Sequence, residues 1–165
     1  MHPAAMPEAT LLRDCDERRT RRGGPGGQHR NKVETAVVLL HRPTGITAEA
    51  SERRSQAENR RVAIGRLRLA LAVAHRLPPD PAGPSPRFRA RTTGGRIAVA
   101  IDHEDYPALV AEAFDQLATH DWRLPQAAAA LGVSTSQLTR LCRRDRAVWT
   151  ALGRHRASAG LPPLA

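Results

Sequence analysis

The chain has 165 residues, enough for one domain with a modest core or for a small domain with an appended module. Hydrophobic residues make up 41% of it, which is near the globular norm and excludes a wholly disordered chain. The formal net charge of +10 rests on 25 arginines and one lysine, and it indicates a polyanionic partner because arginine binds phosphate through planar, bidentate donors.

Other compositional features exclude whole classes of protein. Cys15 and Cys142 lie far apart in the sequence and form no metal motif. Residues 1–12 lack the apolar segment of a signal peptide, and no stretch approaches the ~18 apolar residues that a membrane span requires. We therefore expect a reduced, cytoplasmic protein with no cofactor, no metal and no membrane partner.

The first predicted module, residues 10–76, combines short strands with one long helix. Residues 43–45 contain proline and glycine placed for the turn of a β-hairpin. Ser51 is positioned to cap a helix over 52–74, which carries apolar residues on one face at helical spacing. The three strand candidates are residues 17–22, 36–40 and 46–50.

Residues 77–86 contain five prolines and a glycine and are predicted to be a semi-extended linker to a second module, residues 87–165. The second module begins with a predicted hairpin and continues as helices. Its strand candidates are 88–91 and 96–101, and its helices begin at Asp105, near Pro125 and at Ser134. The fold class is therefore α+β: a small mixed sheet with a long packed helix and a protruding loop, then a β-hairpin and a mostly α-helical module.

Residues 23–32, Gly-Gly-Pro-Gly-Gly-Gln-His-Arg-Asn-Lys, form the most informative stretch. A glycine run taken alone is typical of a flexible linker. A Walker loop is excluded because no Gly-Lys-Ser/Thr follows the turn. A dinucleotide fingerprint is excluded because His29 stands where its third glycine would be.

Further short motifs follow the glycine run at regular positions. They are Gly24-Pro25-Gly26-Gly27-Gln28-His29, Asn31-Lys32, Glu34-Thr35-Ala36-Val37, Pro43-Thr44-Gly45-Ile46, Arg54-Ser55-Gln56 and Asn59-Arg60. In order and spacing this set resembles the catalytic domain of bacterial and mitochondrial class I peptide chain release factors. The resemblance covers about residues 17–74.

This resemblance implies that the chain hydrolyses peptidyl-tRNA in the peptidyl transferase centre and is catalytic only on the ribosome. Gly26, Gly27 and Gln28 would be the catalytic residues, with the backbone N–H of Gln28 stabilising the charge that develops on oxygen. No side-chain nucleophile or metal is then needed. Arg30 departs from the family, which commonly has a small apolar residue there.

The basic residues around this loop are predicted to contact ribosomal RNA phosphates. From Arg13 to Lys32 there are seven basic and three acidic residues. The alternative is that these side chains only keep a protruding loop solvated. The candidates are Arg19, Arg21, Arg22, His29, Arg30, Asn31 and Lys32.

About 22 residues precede the loop, too few for a decoding domain, so we expect a stand-alone member that rescues stalled ribosomes without reading a codon. The partners would then be large-subunit RNA and peptidyl-tRNA. The alternative is a ribosome- or RNA-binding protein without release activity.

Residues 124–144 resemble the terminal helix-turn-helix of Fis-type DNA-binding proteins. Arg140, Arg143 and Arg144 are its candidate nucleic-acid contacts, with the messenger channel or small-subunit RNA as the expected partner. Two alternatives remain open, a helical bundle whose arginines are only surface residues and a DNA-binding regulator.

Overall fold

The computed structural model describes residues 1–20 and 35–164, and contacts divide the chain into two units. One unit comprises residues 1 and 3–71, and the other comprises His2 and the residues from Ala72 onward. Both helices and strands are present, so the predicted α+β class is confirmed. None of the helices in the described part of the chain combines the length and hydrophobicity that a membrane crossing needs.

The first unit is built around a three-stranded antiparallel sheet. After a 3-10 turn at Pro3–Ala5, its elements are α1 (Glu8–Arg13), β1 (Cys15–Thr20), β2 (Ala36–His41), β3 (Ile46–Ala50) and α2 (Gln56–Ala74). The strand order is β1-β2-β3. The sequence predicted a mixed sheet, whereas all strand pairs in the described residues are antiparallel.

The β2–β3 hairpin forms where the turn residues predict it. Gly45 has φ +69°, a conformation that favours glycine, and its N–H donates to the His41 carbonyl at 2.8 Å. The ring nitrogen Nδ1 of His41 lies 2.8 Å from the Thr44 hydroxyl. Since β2 is central and rich in Val and Leu, it supplies most of the sheet's buried residues.

The helix α2 begins at Gln56, four residues later than the predicted start at Glu52. Ser55, and not Ser51, binds the backbone of the first turn. Its carbonyl accepts a hydrogen bond from the Asn59 N–H at 3.0 Å, and its hydroxyl accepts one from the Glu58 N–H at 3.4 Å. The buried residues along α2 follow helical spacing and form its core-facing stripe. They are Ala63, Ile64, Leu67, Leu71 and Ala72.

Residues 75–85, which follow α2, contain neither helix nor strand. This segment is tied to the later helix Tyr106–Thr119: the Leu77 N–H donates to Asp115 at 3.0 Å, and the Ser85 N–H and hydroxyl donate to Glu112 at 2.7 and 2.6 Å. The division into modules at 77–86 stays a prediction.

The predicted strand over 88–91 is wrong, because α3 (Pro86–Ala90) covers its first three residues and Arg91 caps this helix. The Ser85 hydroxyl accepts the Phe88 N–H at 3.1 Å, and Pro86 stands at the first helical position, so both residues start a helix. The hairpin is shorter and lies later, as β4 (Thr92–Thr93) and β5 (Arg96–Ile97).

Four helices complete the second unit: α4 (Tyr106–Thr119), α5 (Leu124–Ala130), α6 (Thr135–Arg143) and α7 (Arg146–Ser158). Ser134 caps α6 as predicted, accepting the Gln137 N–H at 3.2 Å. Asp105 precedes α4 but makes no side-chain cap, because its carboxylate pairs with Arg91 at 2.8 Å and Arg87 at 3.2 Å. Asp145 caps α7, a helix that the sequence analysis did not predict.

Candidate functional site

The predicted catalytic residues Gly26, Gly27 and Gln28 lie outside the described residues. The same holds for six of the predicted RNA contacts, which are Arg21, Arg22, His29, Arg30, Asn31 and Lys32. The structure places the other four: Arg19 in the first unit and Arg140, Arg143 and Arg144 in the second.

The sheet defines where the segment 21–34 is attached. Thr20, the last residue of β1, is the antiparallel partner of Ala36, the first residue of β2. Paired residues in such a ladder lie about 5 Å apart. The chain therefore leaves the sheet and returns to it at adjoining positions, so the two ends of the segment that carries the glycine motif are held side by side.

A buried asparagine fixes the second of these ends. Asn59, in the first turns of α2, is fully buried. Its Nδ2 donates to the carbonyls of Thr35 at 2.6 Å and Arg53 at 3.0 Å, while its Oδ1 accepts the Arg53 N–H at 2.9 Å. Both donors and the acceptor of the amide are thus used. One side chain ties the residue that precedes β2 to the start of α2.

Asn59 is a site residue that the sequence analysis missed. It was noted only as part of the Asn59-Arg60 motif, with no role of its own. The signal was nevertheless in the sequence, because a polar residue in the first turns of a helix, next to the apolar stripe, needs buried partners. Nothing in the sequence alone identifies the Thr35 carbonyl as that partner.

The ion pairs at the edge strand β1 leave Arg19 largely exposed. The Nε of Arg60 in α2 donates to the Glu17 carboxylate at 2.8 Å, and the Nη1 of Arg60 lies 3.7 Å from the Glu8 carboxylate. Arg19 approaches Glu17 only at 3.8 Å, and its side chain is 61% exposed. An exposed pair of this length contributes about 0–1 kcal/mol, so Arg19 is available to another anion.

The predicted arginines of the second unit do not form one group. Arg140 and Arg144 line a cleft of about 440 Å³ together with Arg96, which the sequence analysis did not select. Arg143 lies apart from them, with its guanidinium carbon 4.7 Å from the centre of the Trp149 ring. The cleft-lining set is therefore Arg96, Arg140 and Arg144.

The thiols and imidazoles of the described residues show no arrangement for nucleophilic or metal chemistry. Burial raises the pKa of the Cys142 thiol to about 12, and burial also raises the pKa of Cys15. Both thiols are therefore protonated and unreactive near neutral pH. His155 stacks on Trp122 with ring centroids 3.9 Å apart, and burial lowers its pKa. In the ranges 1–20 and 35–164, no three His, Cys, Asp or Glu residues are grouped to hold a metal ion.

Comparison with known proteins gives a family match to the RF-1 domain over residues 12–93. The chloroplastic peptide chain release factor PrfB1 of Arabidopsis thaliana is 50% identical over 60 residues, 36% of this chain and 13% of that protein. The mitochondrial peptide chain release factor 1-like protein of Mus musculus is 46% identical over 55 residues, 33% of this chain and 15% of its own length.

Peptide chain release factor 2 of Clostridium perfringens is 51% identical over 51 residues, 31% of this chain and 14% of that protein. The chain thus spans 13% to 15% of the length of these relatives. The match includes the sheet, α2 and the segment 21–34, whereas residues 94–165 lie beyond it.

Proposed function

The chain carries a catalytic domain of the class I peptide chain release factor family at residues 12–93, and we propose that it releases nascent peptides by hydrolysing peptidyl-tRNA on the ribosome. The family match carries this proposal, since it spans the segment with Gly26, Gly27 and Gln28. The described geometry supports it, because β1, β2 and Asn59 hold both ends of that segment.

In the proposed reaction, water attacks the ester carbonyl carbon, and the bond to the ribose oxygen of the tRNA breaks. The peptide leaves as a carboxylic acid, and a proton passes to the ribose oxygen. Negative charge develops on oxygen in the transition state. A preorganised N–H donor at that position is worth about 10²–10³ in rate, and we assign this donor to the backbone of Gln28.

A peptide release assay on purified ribosomes tests the assignment through paired substitutions. Gln28→Pro removes the backbone N–H, so we expect it to lower the release rate at least about 10²-fold. Gly27→Ala restricts the backbone that aims the N–H and should also abolish release. Gln28→Ala keeps the N–H and should lose less than the proline variant.

The matched control is Gln126→Ala, which removes the same side chain from an exposed position in α5. It should release peptide at the wild-type rate. Ribosome binding and the melting temperature should be unchanged in all four variants. Full activity in Gln28→Pro would overturn the proposal and would favour a ribosome-binding protein without release activity.

We also propose that release is independent of the codon, as in ribosome rescue, with the second unit contacting messenger or small-subunit RNA. The supporting observation is chemical. The exposed cleft of this unit is lined by arginines, which suit backbone phosphates, and phosphate contacts carry no sequence information. The dependence of release on the state of the ribosomal A site tests this step.

A further inference from the structure

The second unit contains an open cleft between the β4–β5 hairpin and α6. Its volume is about 440 Å³. Five of its seven lining residues carry polar donors, and the other two are Ile97 and Ala98. The donors are Thr93, Arg96, Gln137, Arg140 and Arg144.

The position of these donors follows from the local folding of both elements. Gln137, Arg140 and Arg144 stand at positions i, i+3 and i+7, so they share one side of α6 and its C-terminal cap. The neighbouring side of α6 is anchored in the core by Leu138 and Leu141. The helix therefore cannot rotate to take its polar residues out of the cleft.

The hairpin supplies the opposite wall. Thr93 and Arg96 are cross-strand partners on either side of a two-glycine turn, in which Gly94 and Gly95 have φ of +56° and +74°. The Ile97 N–H donates to the side-chain oxygen of Gln137 at 3.2 Å, which links hairpin to helix. This bond occupies the Gln137 oxygen and leaves its NH₂ group as a donor.

The cleft concentrates positive charge that its own lining residues do not neutralise. No Asp or Glu is among its lining residues. Arg96 and Arg140 are exposed, and neither forms an ion pair in the part of the chain that the structure describes. The neighbouring Arg87 and Arg91 differ, because both pair with Asp105.

Arg144 is held more firmly than the other two. Its Nη1 donates to the Val99 carbonyl, and the residue is half-buried. A guanidinium carries five donors, so one bond to a carbonyl orients the group without using up its capacity. Three like charges around one small cleft repel one another unless an anion lies between them.

We propose that this cleft binds the backbone phosphates of an RNA chain. Guanidinium groups meet phosphate oxygens in bidentate pairs, while the Thr93 hydroxyl and the Gln137 amide add neutral donors. The choice of RNA over other phosphates rests on the proposed function, because release takes place on the ribosome.

Duplex DNA fits the same surface less well. A helix-turn-helix reads DNA by inserting a free helix face into a major groove about 12 Å wide. Here the side of α6 that carries Gln137 and Arg140 faces the hairpin across the cleft and forms one of its walls, so it is not a free helix face. Arg143, outside the cleft, is engaged with Trp149. A single strand with accessible phosphates can enter a concave cleft of this kind.

The test is fluorescence anisotropy of the full chain with a labelled single-stranded RNA of mixed sequence, titrated over a range of salt. The variant Arg96→Gln/Arg140→Gln should raise the Kd about tenfold at 0.1 M salt. The slope of log K against log salt should fall by about 1.4, since each phosphate contact with a single strand contributes about 0.7. Both side chains are exposed, so the melting temperature should not change.

The matched control is Arg123→Gln/Arg154→Gln. It makes the same change in net charge at two exposed arginines that do not line the cleft. Its Kd should stay within about twofold of the wild type. An equal loss in the control and in the cleft variant would overturn the proposal, because binding would then follow net charge alone.

Two further measurements distinguish RNA from other possible ligands of the cleft. A duplex DNA of the same charge should bind more weakly than the RNA. If the DNA binds more tightly and the cleft variant loses this binding, the cleft is a DNA site. Inorganic phosphate at matched ionic strength should not displace the RNA, and displacement would make it a small-anion site.

The last arm separates this inference from the release activity. Gln28→Pro should bind RNA like the wild type, and the cleft variant should release peptide at an unchanged kcat with a higher half-saturating concentration. Normal peptide release by Gln28→Pro would disprove the proposed function but would leave the RNA-binding result valid. Unchanged RNA affinity in the cleft variant would disprove only the inference that the cleft binds RNA phosphates.

Discussion

The buried amide of Asn59 links two backbone segments that are far apart in the sequence. Its three hydrogen bonds join the Thr35 carbonyl, which follows the segment 21–34, to the backbone of Arg53 before α2. Replacing Asn59 leaves the carbonyls of Thr35 and Arg53 without this donor, and a buried polar group left without its partner costs about 1–3 kcal/mol. We infer that Asn59 is a positioning residue for Gln28.

Asn59→Ala should therefore lower the kcat of peptide release by tenfold to about 10²-fold, because a misplacement of about 1 Å at a reacting group has an effect of that size. The half-saturating concentration of ribosomes should not change. The measurement is release at saturating and limiting ribosome concentrations, below the melting temperature of the variant.

A matched control separates positioning from stability. Ile64→Val alters the core-facing stripe of the same helix and costs about 0.5–1.5 kcal/mol, without touching Thr35 or Arg53. It should melt at a lower temperature and release peptide at the wild-type kcat. If Ile64→Val loses kcat in proportion to its stability, Asn59 has only a structural role.

At the scale of elements, the second unit depends on the segment before α3 more than its composition indicates. Ser85 caps α3 through the Phe88 N–H, and its own N–H and hydroxyl bind the Glu112 carboxylate of α4. Ser85→Ala should therefore lower the free energy of unfolding by about 1–2 kcal/mol. Chemical denaturation measures the loss. Ser136→Ala, at an exposed position of α6, should change it by less than about 0.5 kcal/mol, and equal effects would contradict this role of Ser85.

The same elements show what the sequence can and cannot predict. The β2–β3 hairpin and the cap of α6 were predictable, because the turn glycine and the capping serine act locally. The start of α2 at Gln56 was not predictable from the sequence. Asn59 binds the backbone of Arg53 and the Thr35 carbonyl, and these contacts depend on the tertiary structure. The strand expected over 88–91 is a helix, because Ser85 and Pro86 outweigh the weak alternation that follows them.

The candidate site likewise has parts that the sequence predicts and parts that it does not. The glycine motif and its neighbours predicted the family, because those residues stand at fixed spacing in the sequence, and the match to residues 12–93 confirms it. The arginine cleft was only half predictable. Arg140 and Arg144 share a helix face by spacing, but Arg96 reaches them through tertiary packing of the hairpin, 44 positions before Arg140 in the sequence.

At the scale of the whole molecule, the net charge of +10 suits the proposed partner, because the ribosome is a polyanion. Such charge speeds association and makes it sensitive to salt, but it does not distinguish one ribosomal state from another. Selection must therefore come from specific contacts. The exposed Arg19 of β1 and the arginines of the cleft offer positive charge to phosphates, and phosphate contacts carry no sequence information.

We therefore expect release by the full chain to be insensitive to the identity of the codon. The assay compares ribosomes that hold the same peptidyl-tRNA and differ only in the A site, which is empty on a truncated message, filled by a stop codon or filled by a sense codon. Release on the truncated message should be at least as fast as at the stop codon, and exchanging one stop codon for another should change nothing. Gln28→Pro gives the background in each state. Release confined to stop codons would show that the chain reads the message, and the proposed codon-independent release would then be wrong.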